Sequence, residues 1–427
     1  MTKPTLVNAE GIPQAIALSE RVHWIGALDP NLRTFDIILK TANGTSYNAY
    51  LVRGSAGVAV IDTVKESFAG DFFARLESVA RYDEISVIVL NHLEPDHSGA
   101  LPELMRRAPQ ARLYISQKAQ SMLKALLKQD EFDFTPVLTG DTVTLGDRTL
   151  GFLHTPYLHW PDTQCTHLIE EKILFSGDVF GCHFCDTRLF NDEVGDFRFS
   201  FEYYYAHIMR PFKTYVNTAL DIIEPLLPFS KILPAHGPFL CDQPQRYVQR
   251  YRELSRSALQ SEISANEKTL LIFYISSYGN TRHMAEAIYE GAMAIENVRV
   301  SLYDLEGSEI SPFVDLIESA DGIVFGTPTI NGDAVKPVWD LLSSLAVVSM
   351  KGKLGGVFGS YGWTGEGVKM VEDRLRGLKL RVPIAGIRIK LIPTDEEMNQ
   401  CREFGHELAQ ELLGLRQSKV IDMADLA

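Results

Sequence analysis

Short apolar runs separated by polar segments fill the first part of the chain, up to about Leu254. Seven runs have the length and the β-branched or aromatic content of strands: SYNAYLV, VAVIDT, ISVIVLN, ARLYIS, TLGFLH, KILFS and KILPAH. Helical patterns lie between some of them, at Phe72–Arg81, Leu101–Ala108 and Lys118–Lys128. Strands mixed with helices over this length predict a layered α/β domain with sheet cores.

The pattern changes after a polar segment, Ser257–Lys268, that is typical of a linker following a helix. Strand runs TLLIFYI, GIVFG and LGGVFG are each followed by a predicted helix, from about Thr281, near Val335–Leu345 and near Gly365–Leu375. The run VPIAGIRI and a closing helix, Asp395–Leu413, complete this part. Such alternation predicts a doubly wound parallel sheet. We therefore expect domains at 1–256 and 269–427, joined by a linker at 257–268.

Composition and charge narrow the class of protein. A chain of 427 residues is too long for one ordinary core and suits two. The net charge of −14 argues against a nucleic-acid partner, which requires a basic face. No apolar stretch is long enough to span a membrane, and the start does not have the pattern of a signal peptide. Five scattered cysteines suit a reducing cytoplasm, so we expect a cytoplasmic protein.

A cluster of metal-ligand residues follows the apolar run ISVIVL. The segment NHLEPDH contains His92, Glu94, Asp96 and His97 at the carboxyl end of a predicted strand. Four such side chains in six residues are costly to bury without partners, and a metal would satisfy them. Taken alone, such a motif is more often a solvated loop than a metal site.

Three further residues of ligand type stand at strand-to-loop junctions. They are His159 in HTPYLHWPDT, Asp178 in LFSGDVF and His236 in ILPAHGP. Strand ends of a rigid sheet can aim such side chains at a common point. The seven residues together predict a two-metal site, and no catalytic residue beyond these ligands is identified.

Cys182 and Cys185 form a single CxxC with His183 inside it. Because no second pair exists, packing near the metal pocket is the favoured interpretation, and a redox or gating role is only a hypothesis. Five other histidines, His154, His167, His207, His283 and His406, are interpreted as surface or structural residues.

Three loops at the carboxyl ends of predicted strands could hold a phosphorylated planar ligand. The first loop comprises Ser276, Ser277, Tyr278, Gly279, Asn280 and Thr281. The second comprises Pro328, Thr329, Ile330, Asn331 and Gly332. The third comprises Ser360, Tyr361, Gly362, Trp363, Thr364 and Gly365. Hydroxyls and backbone N–H groups at a helix N-terminus favour a phosphate, while aromatic rings can stack on a planar group.

The pattern H-x-[HE]-x-D-H followed by His, Asp and His resembles the metallo-β-lactamase superfamily. Glu94, where the hydrolases usually carry His, makes it similar to the flavodiiron branch, and the three loops resemble flavodoxin. The resemblance covers nearly the whole chain. It implies an N-terminal metallo-β-lactamase-like αβ/βα sandwich and a C-terminal flavodoxin-like doubly wound sheet, an α/β protein throughout.

The family resemblance also implies cofactors and their ligands. One iron would take the positions matching His92, Glu94 and His159, and the other those matching Asp96, His97 and His236. The residue matching Asp178 would bridge both irons, and in some members the histidine matching His97 does not ligate. Mixed imidazole and carboxylate ligands leave iron redox-capable. FMN is the implied flavin.

By the same resemblance, the chain reduces dioxygen to water or nitric oxide to nitrous oxide. Family members form head-to-tail dimers that place one chain's FMN beside the other's irons, so a homodimer or a dimer of dimers is expected. No rubredoxin or flavin-reductase extension is visible, which implies an external donor such as a rubredoxin-like protein, or a deazaflavin. The alternatives are a zinc hydrolase with an accessory flavodoxin module and an electron carrier with a structural metal.

Overall fold

A computed structural model of the chain describes residues 6–35, 39–128, 132–256 and 267–415. The chain divides into two compact units, Met1–Ser255 and Arg256–Ala427. The predicted linker at 257–268 falls almost entirely outside the described residues, so the linker and its boundaries stay a prediction.

The first unit contains sixteen described strands and seven described α-helices. The strands are β1 Ile16–Ala17, β2 Val22–Trp24, β3 Ala27–Asp29, β4 Thr34–Phe35, β5 Leu39–Lys40, β6 Thr45–Tyr47, β7 Tyr50–Arg53, β8 Val58–Ile61, β9 Ile85–Val89, β10 Arg112–Ser116, β11 Thr135–Val137, β12 Thr142–Thr144, β13 Thr149–His154, β14 Gln164–Leu168, β15 Ile173–Gly177 and β16 Lys231–Pro234. The helices are α1 Ala69–Glu77, α2 Pro95–Ser98, α3 Leu101–Arg107, α4 Gln120–Leu127, α5 Arg198–Tyr204, α6 Lys213–Ile223 and α7 Gln245–Leu254.

Two sheets pack face to face in this unit. One has the order β1-β2-β7-β8-β9-β10-β11 and the other β12-β13-β14-β15-β16. Side chains from both sheets share one core, including Ala59, Val89, Phe152 and Phe175. This burial explains the apolar runs of the sequence, because each central strand packs on both of its faces.

Helices cover the outer face of each sheet. Leu76 of α1 and Leu104 of α3 pack with Val60 on the first sheet. Leu220 of α6 packs with Leu174 on the second sheet. The layers are therefore helix, sheet, sheet, helix, which confirms the predicted αβ/βα sandwich.

The second unit is built around one mainly parallel sheet. Its strands are β17 Lys268–Tyr274, β18 Val298–Asp304, β19 Gly322–Gly326, β20 Thr329–Ile330, β21 Asp333–Ala334, β22 Leu354–Tyr361 and β23 Ile387–Lys390. Its helices are α8 Asn280–Met293, α9 Ser311–Ser319, α10 Lys336–Ser343, α11 Val347–Met350, α12 Glu366–Gly377 and α13 Asp395–Leu412.

Strands β18, β17, β19, β22 and β23 are parallel neighbours in that order. Alternate residues of β17 face opposite cores: Phe273 packs on the side of α9, α10 and α12, and Ile272 on the side of α8 and α13. Cores on both faces confirm the predicted doubly wound sheet.

Two local features differ from the sequence prediction. The run SYNAYLV is not one strand, because it breaks at Asn48 into β6 and β7. The Asn48 amide donates to the carbonyls of Pro234 and Gly237 at 2.9 and 3.0 Å, and this side chain interrupts the ladder. Strand β18, at the sheet edge, and helix α9, which follows it, were not predicted. In the described part of the chain, no helix combines the length and apolarity required to cross a membrane.

Candidate functional site

The structure brings all seven predicted metal ligands together at the ends of strands. His92 and Glu94 lie in the loop after β9, and the one-turn helix α2 carries Asp96 and His97. His159 lies between β13 and β14. Asp178 directly follows β15, and His236 lies two residues beyond β16. Every one of these side chains is buried except His159, which is 14% exposed.

The first cluster joins His92, Glu94, His159 and one oxygen of Asp178. His159 Nε2 lies 2.9 Å from Glu94 Oε2 and 3.2 Å from Asp178 Oδ2. His92 Nε2 lies 3.4 Å from Glu94 Oε2 and 3.2 Å from Asp178 Oδ2. The four donor atoms are close enough to hold one ion.

The second cluster joins Asp96, His97, His236 and the other oxygen of Asp178. His97 Nε2 lies 3.3 Å from Asp96 Oδ1 and 3.3 Å from Asp178 Oδ1. His236 Nε2 lies 3.2 Å from Asp96 Oδ2 and 3.6 Å from Asp178 Oδ1. Asp178 therefore turns one carboxylate oxygen toward each cluster.

Several buried donor atoms of these clusters have no hydrogen-bond partner in the described part of the chain. His92, His97 and His236 Nε2, both Asp96 oxygens and Asp178 Oδ1 have no hydrogen-bond partner among the described residues. They lie near each other but do not point at each other, which is the arrangement of ligands aimed at a shared point. Two cations among three carboxylates and four imidazoles would satisfy them, so the residues fit a two-metal centre.

The electrostatics of the clusters indicate competition between protons and metal. Burial lowers the pKa of His159, but Asp178 and Glu94 outweigh it and raise this pKa to about 9. Burial also lowers the pKa of His92, but Asp178 and Glu94 outweigh it and raise this pKa well above its ordinary value. Burial raises the pKa of Asp178, but the surrounding imidazoles hold it well below its usual range. Metal binding would therefore displace protons from the histidines.

Backbone and hydroxyl groups orient His236. Its Nδ1 donates to the Ser46 carbonyl at 2.7 Å, which leaves Nε2 free to face the second cluster. Thr45 Oγ1 lies 3.0 Å from His183 Nδ1 and 3.4 Å from His236 Nδ1. His183 thus sits beside a predicted ligand, with 5.0 Å between the two ring centroids.

Two buried carboxylates and a threonine hold the loop that carries His92 to His97. Asp62 accepts from the backbone N–H and side-chain amide of Asn91 at 2.7 and 2.8 Å. Asp162 Oδ2 accepts from the Leu93 N–H at 2.8 Å. Thr63 Oγ1 donates to the His97 carbonyl at 2.7 Å. These contacts fix the ligands before any metal binds.

Aromatic rings pack against the second cluster. The ring centroids of Phe35, Tyr47 and Tyr204 lie 5.8, 5.9 and 6.2 Å from that of His236. Burial raises the pKa of the Tyr204 phenol well above its ordinary value, and nearby Asp178 adds to the effect. The rings exclude water from this side of the site.

Cys182 is buried, and its N–H donates to the His236 carbonyl at 3.2 Å. Cys182 and Cys185 are both free thiols. Burial raises the pKa of each. Cys182 thus occupies the packing position that the sequence favoured, and a redox role stays a hypothesis. Neither metal-ligand cluster found in the described residues includes one of the other five histidines.

The three predicted flavin loops follow neighbouring strands of the second unit. The first follows β17 and leads into α8, with Gly279 at a φ of +84° before the helix. Ser276 Oγ is buried and has no hydrogen-bond partner among the described residues. Thr281 Oγ1 lies 2.9 Å from Ser360 Oγ, which joins the first loop to the third. A phosphate at this helix N-terminus would satisfy the Ser276 hydroxyl, so the loop fits FMN.

The second and third loops are also joined. Thr329 of β20 pairs with Tyr361 of β22, and Asn331 and Gly332 form the turn to β21 with φ of 55° and 75°. A cavity of about 350 Å³ is formed by part of the third loop and two further residues. It is lined by Tyr361, Trp363, Thr364, Gly365, Glu366 and Arg388. The Trp363 side chain is 78% exposed and available for stacking.

Sequence reasoning missed several residues that support these sites. Thr45, Ser46, Asp62 and Asp162 reach the ligands only through tertiary contacts. Arg388 reaches the flavin cavity because β23 pairs with β22. Of these residues, only Asp162 could have been suspected from the sequence, because it is a charged residue in the same turn as the predicted ligand His159.

Comparison with known proteins supports the predicted fold of each half of the chain. The ODP family beta lactamase model matches residues 45–237, and the flavodoxin model matches residues 272–405. The type A flavoprotein fprA of Rhodobacter capsulatus is 58% identical over 427 residues, covering 100% of this chain and 98% of that protein. The nitric oxide reductase of Moorella thermoacetica is 33% identical over 404 residues, covering 93% and 99%.

A solved structure extends the similarity to the fold. The rubredoxin oxygen:oxidoreductase from Desulfovibrio gigas matches with a TM-score of 0.64 and 29% identity, covering 94% of this chain and 99% of that one. These full-length matches, together with the paired metal clusters and the flavin loops, show that the chain belongs to the type A flavoprotein, or flavodiiron, family.

Proposed function

We propose that this protein reduces dioxygen to water or nitric oxide to nitrous oxide at a diiron centre, using electrons relayed by FMN. The observation that carries the proposal is Asp178, whose two oxygens face two separate ligand clusters. A bridging carboxylate couples two metals, and the second unit supplies a cradle for an electron-carrying flavin.

The proposed ligands follow the two clusters. The first iron would be held by His92, Glu94 and His159, and the second by Asp96, His97 and His236. Asp178 would be a ligand of both. When bound, the irons and FMN supply the electrons, four for dioxygen or two for a pair of nitric oxide molecules, and the irons add Lewis-acid activation of the gas.

The protein's own groups position these reactants. Ser46 fixes the tautomer of His236, and Asp62 and Asp162 fix the backbone on either side of His92. Phe35 and Tyr204 limit access of water to the second cluster. A dry, preorganised site strengthens each electrostatic contact made there.

In the second unit, the proposed FMN ligands are the residues of the three loops. Ser276, Thr281 and the N-terminal turn of α8 would bind the phosphate. Tyr361 and Trp363 would lie against the ring system.

The relatives favour this reaction class over a zinc hydrolase. One relative is named a nitric oxide reductase, and one similar structure a rubredoxin oxygen:oxidoreductase. Both gases therefore stay in the proposal. A simple electron carrier would not require seven ligand residues, six of them buried, in two clusters that share a carboxylate.

The electron donor, assembly and location are also proposed. An external donor, a rubredoxin-like protein or a deazaflavin, supplies electrons to the flavin. A head-to-tail homodimer, alone or as a dimer of dimers, places the FMN of one chain beside the irons of the other. Free cysteines fit a cytoplasmic location.

Anaerobic reduction followed by mixing with each gas tests the proposal. Rapid reoxidation by dioxygen or nitric oxide is expected, and the faster gas is the preferred substrate. The Asp178→Ala variant should lose this reaction while keeping a reducible flavin. Equal reoxidation rates in the two proteins would contradict a role for the bridged centre.

A further inference from the structure

Asp162 lies in the turn that carries His159, yet it contacts the loop that carries His92 and Glu94. Its Oδ2 accepts from the Leu93 N–H, between those two residues, at 2.8 Å. Asp162 is 1% exposed. One side chain therefore ties together the two loops that form the first cluster.

Asp162 has a second oxygen whose partner is absent. Asp162 Oδ1 is buried without a hydrogen-bond partner among the described residues, and so is His92 Nδ1. The two groups lie in one neighbourhood, because Asp162 Oδ2 is bonded to the N–H of Leu93, the residue that directly follows His92. Metal-bound histidines usually donate their second N–H to a carboxylate or carbonyl, which fixes the ring and strengthens the metal bond.

We propose that Asp162 is a positioning residue for the first metal, in which one oxygen clamps the Leu93 backbone and the other accepts the Nδ1–H of His92. The inference rests on the proposed function, since it requires a metal at the first cluster. No other buried carboxylate of the described site is arranged this way, because Asp62 uses both oxygens on Asn91.

Two substitutions separate the clamp from the contact with His92. Asp162→Ala removes both. Asp162→Asn keeps an oxygen for the Leu93 N–H but offers His92 an amide that cannot replace the carboxylate. A matched control is Gln164→Ala, because Gln164, at the start of β14, also joins the segment after His159 to the segment before His92, with Nε2 donating to the Leu90 carbonyl at 3.1 Å.

The measurement is iron affinity by chelator competition on the full-length protein, with the unfolding midpoint recorded in parallel. We expect Asp162→Asn to release one iron about 10- to 100-fold more readily, with the other iron and the midpoint unchanged. Asp162→Ala should weaken the same iron further and lower the midpoint. Gln164→Ala should lower the midpoint and keep both affinities.

A Glu94→Ala background identifies the affected iron. Because that variant has already lost the first-cluster iron, adding Asp162→Asn should leave the remaining affinity unchanged. The inference is overturned if Asp162→Asn binds both irons like the wild type, or if both irons weaken together. A wild-type protein that binds no iron would instead overturn the proposed function.

Discussion

Asp178 and Glu94 are both buried carboxylates of the site, but they occupy different places in it. Asp178 faces both clusters, whereas Glu94 lies within 3.4 Å of His92 and His159 in the first cluster alone. The difference predicts that their removal has different consequences for metal binding.

Asp178→Ala should abolish tight binding of both irons, and Glu94→Ala should abolish tight binding of one iron only. Each variant removes a negative charge next to a cation, but only Asp178 is shared by the two clusters. Iron per chain after anaerobic loading and desalting gives the comparison. His154→Ala, outside both clusters, is the control. Equal iron contents in the two carboxylate variants would exclude the bridging assignment.

The stability of the metal-free protein should fall as pH rises from about 6.5 to about 9. The folded-state pKa of His159 is raised above its unfolded value, so the stabilisation is complete below the unfolded pKa and is lost as pH passes the folded one. His92 and His236 are raised in the same direction. Urea unfolding at three pH values measures the trend, and a metal-free protein that gains stability over this window would refute it.

The ligands were predictable from sequence because each stands directly after an apolar strand run. Their supports were not, because their contacts join distant segments: Ser46 and His236 are 190 residues apart, and Asp162 and Leu93 are 69 apart. Nothing in the local sequence indicates which backbone group such a side chain will meet.

At the scale of elements, the turn after β16 sets the position of His236. Gly237 has a φ of +82°, and a Cβ there would lie 2.7 Å from both the carbonyl oxygen and the Sγ of Cys182. Because one of these contacts is with the Cys182 backbone, the chain has little room to move away from an added Cβ.

Gly237→Ala should therefore lower the unfolding free energy and weaken the second iron. Left-handed backbone alone costs an alanine roughly 1–2 kcal/mol, and the contact with Cys182 adds to that. Gly195→Ala is the matched control, since its φ is +86° and nothing lies within 4 Å of the added Cβ. Thermal unfolding and iron titration measure both. If the two variants behave alike, close packing under His236 is not important for the site.

The loop between β17 and α8 makes a parallel prediction for the flavin. Ser276→Ala should weaken FMN binding about 10-fold, because it removes one hydrogen bond to a charged phosphate. Ser344→Ala is a suitable control, since its hydroxyl bonds to the Asp340 carbonyl at the C-terminal end of α10 and belongs to none of the three loops. Fluorescence titration of the flavin-free protein measures the affinity; an unchanged value for Ser276→Ala would remove this residue from the cradle.

Elements with continuous apolar runs were predicted well, and the exceptions have physical causes. Strand β18 is an edge strand whose residues are mostly half-buried, so its pattern is diluted. The break at Asn48 arises because its side-chain amide bonds to the carbonyls of Pro234 and Gly237, on either side of His236. The apolar residues around Asn48 give no sign of this break in the sequence.

At the scale of the whole molecule, both folds were predictable because strand-helix order and motif order agree in each half. Assembly depends instead on surfaces that carry no motif. The proposed head-to-tail dimer predicts that sedimentation of the FMN- and iron-loaded protein shows a dimer or tetramer. Dilution to monomers should abolish gas reduction, and an active monomer would rule the dimer out.

The most direct test of the central claim is metal and flavin analysis of the protein purified without oxygen. Seven clustered ligand residues and three flavin loops predict about two irons and about one FMN per chain, with little zinc. Zinc in place of iron, or a colourless protein with neither iron nor flavin, would contradict the account.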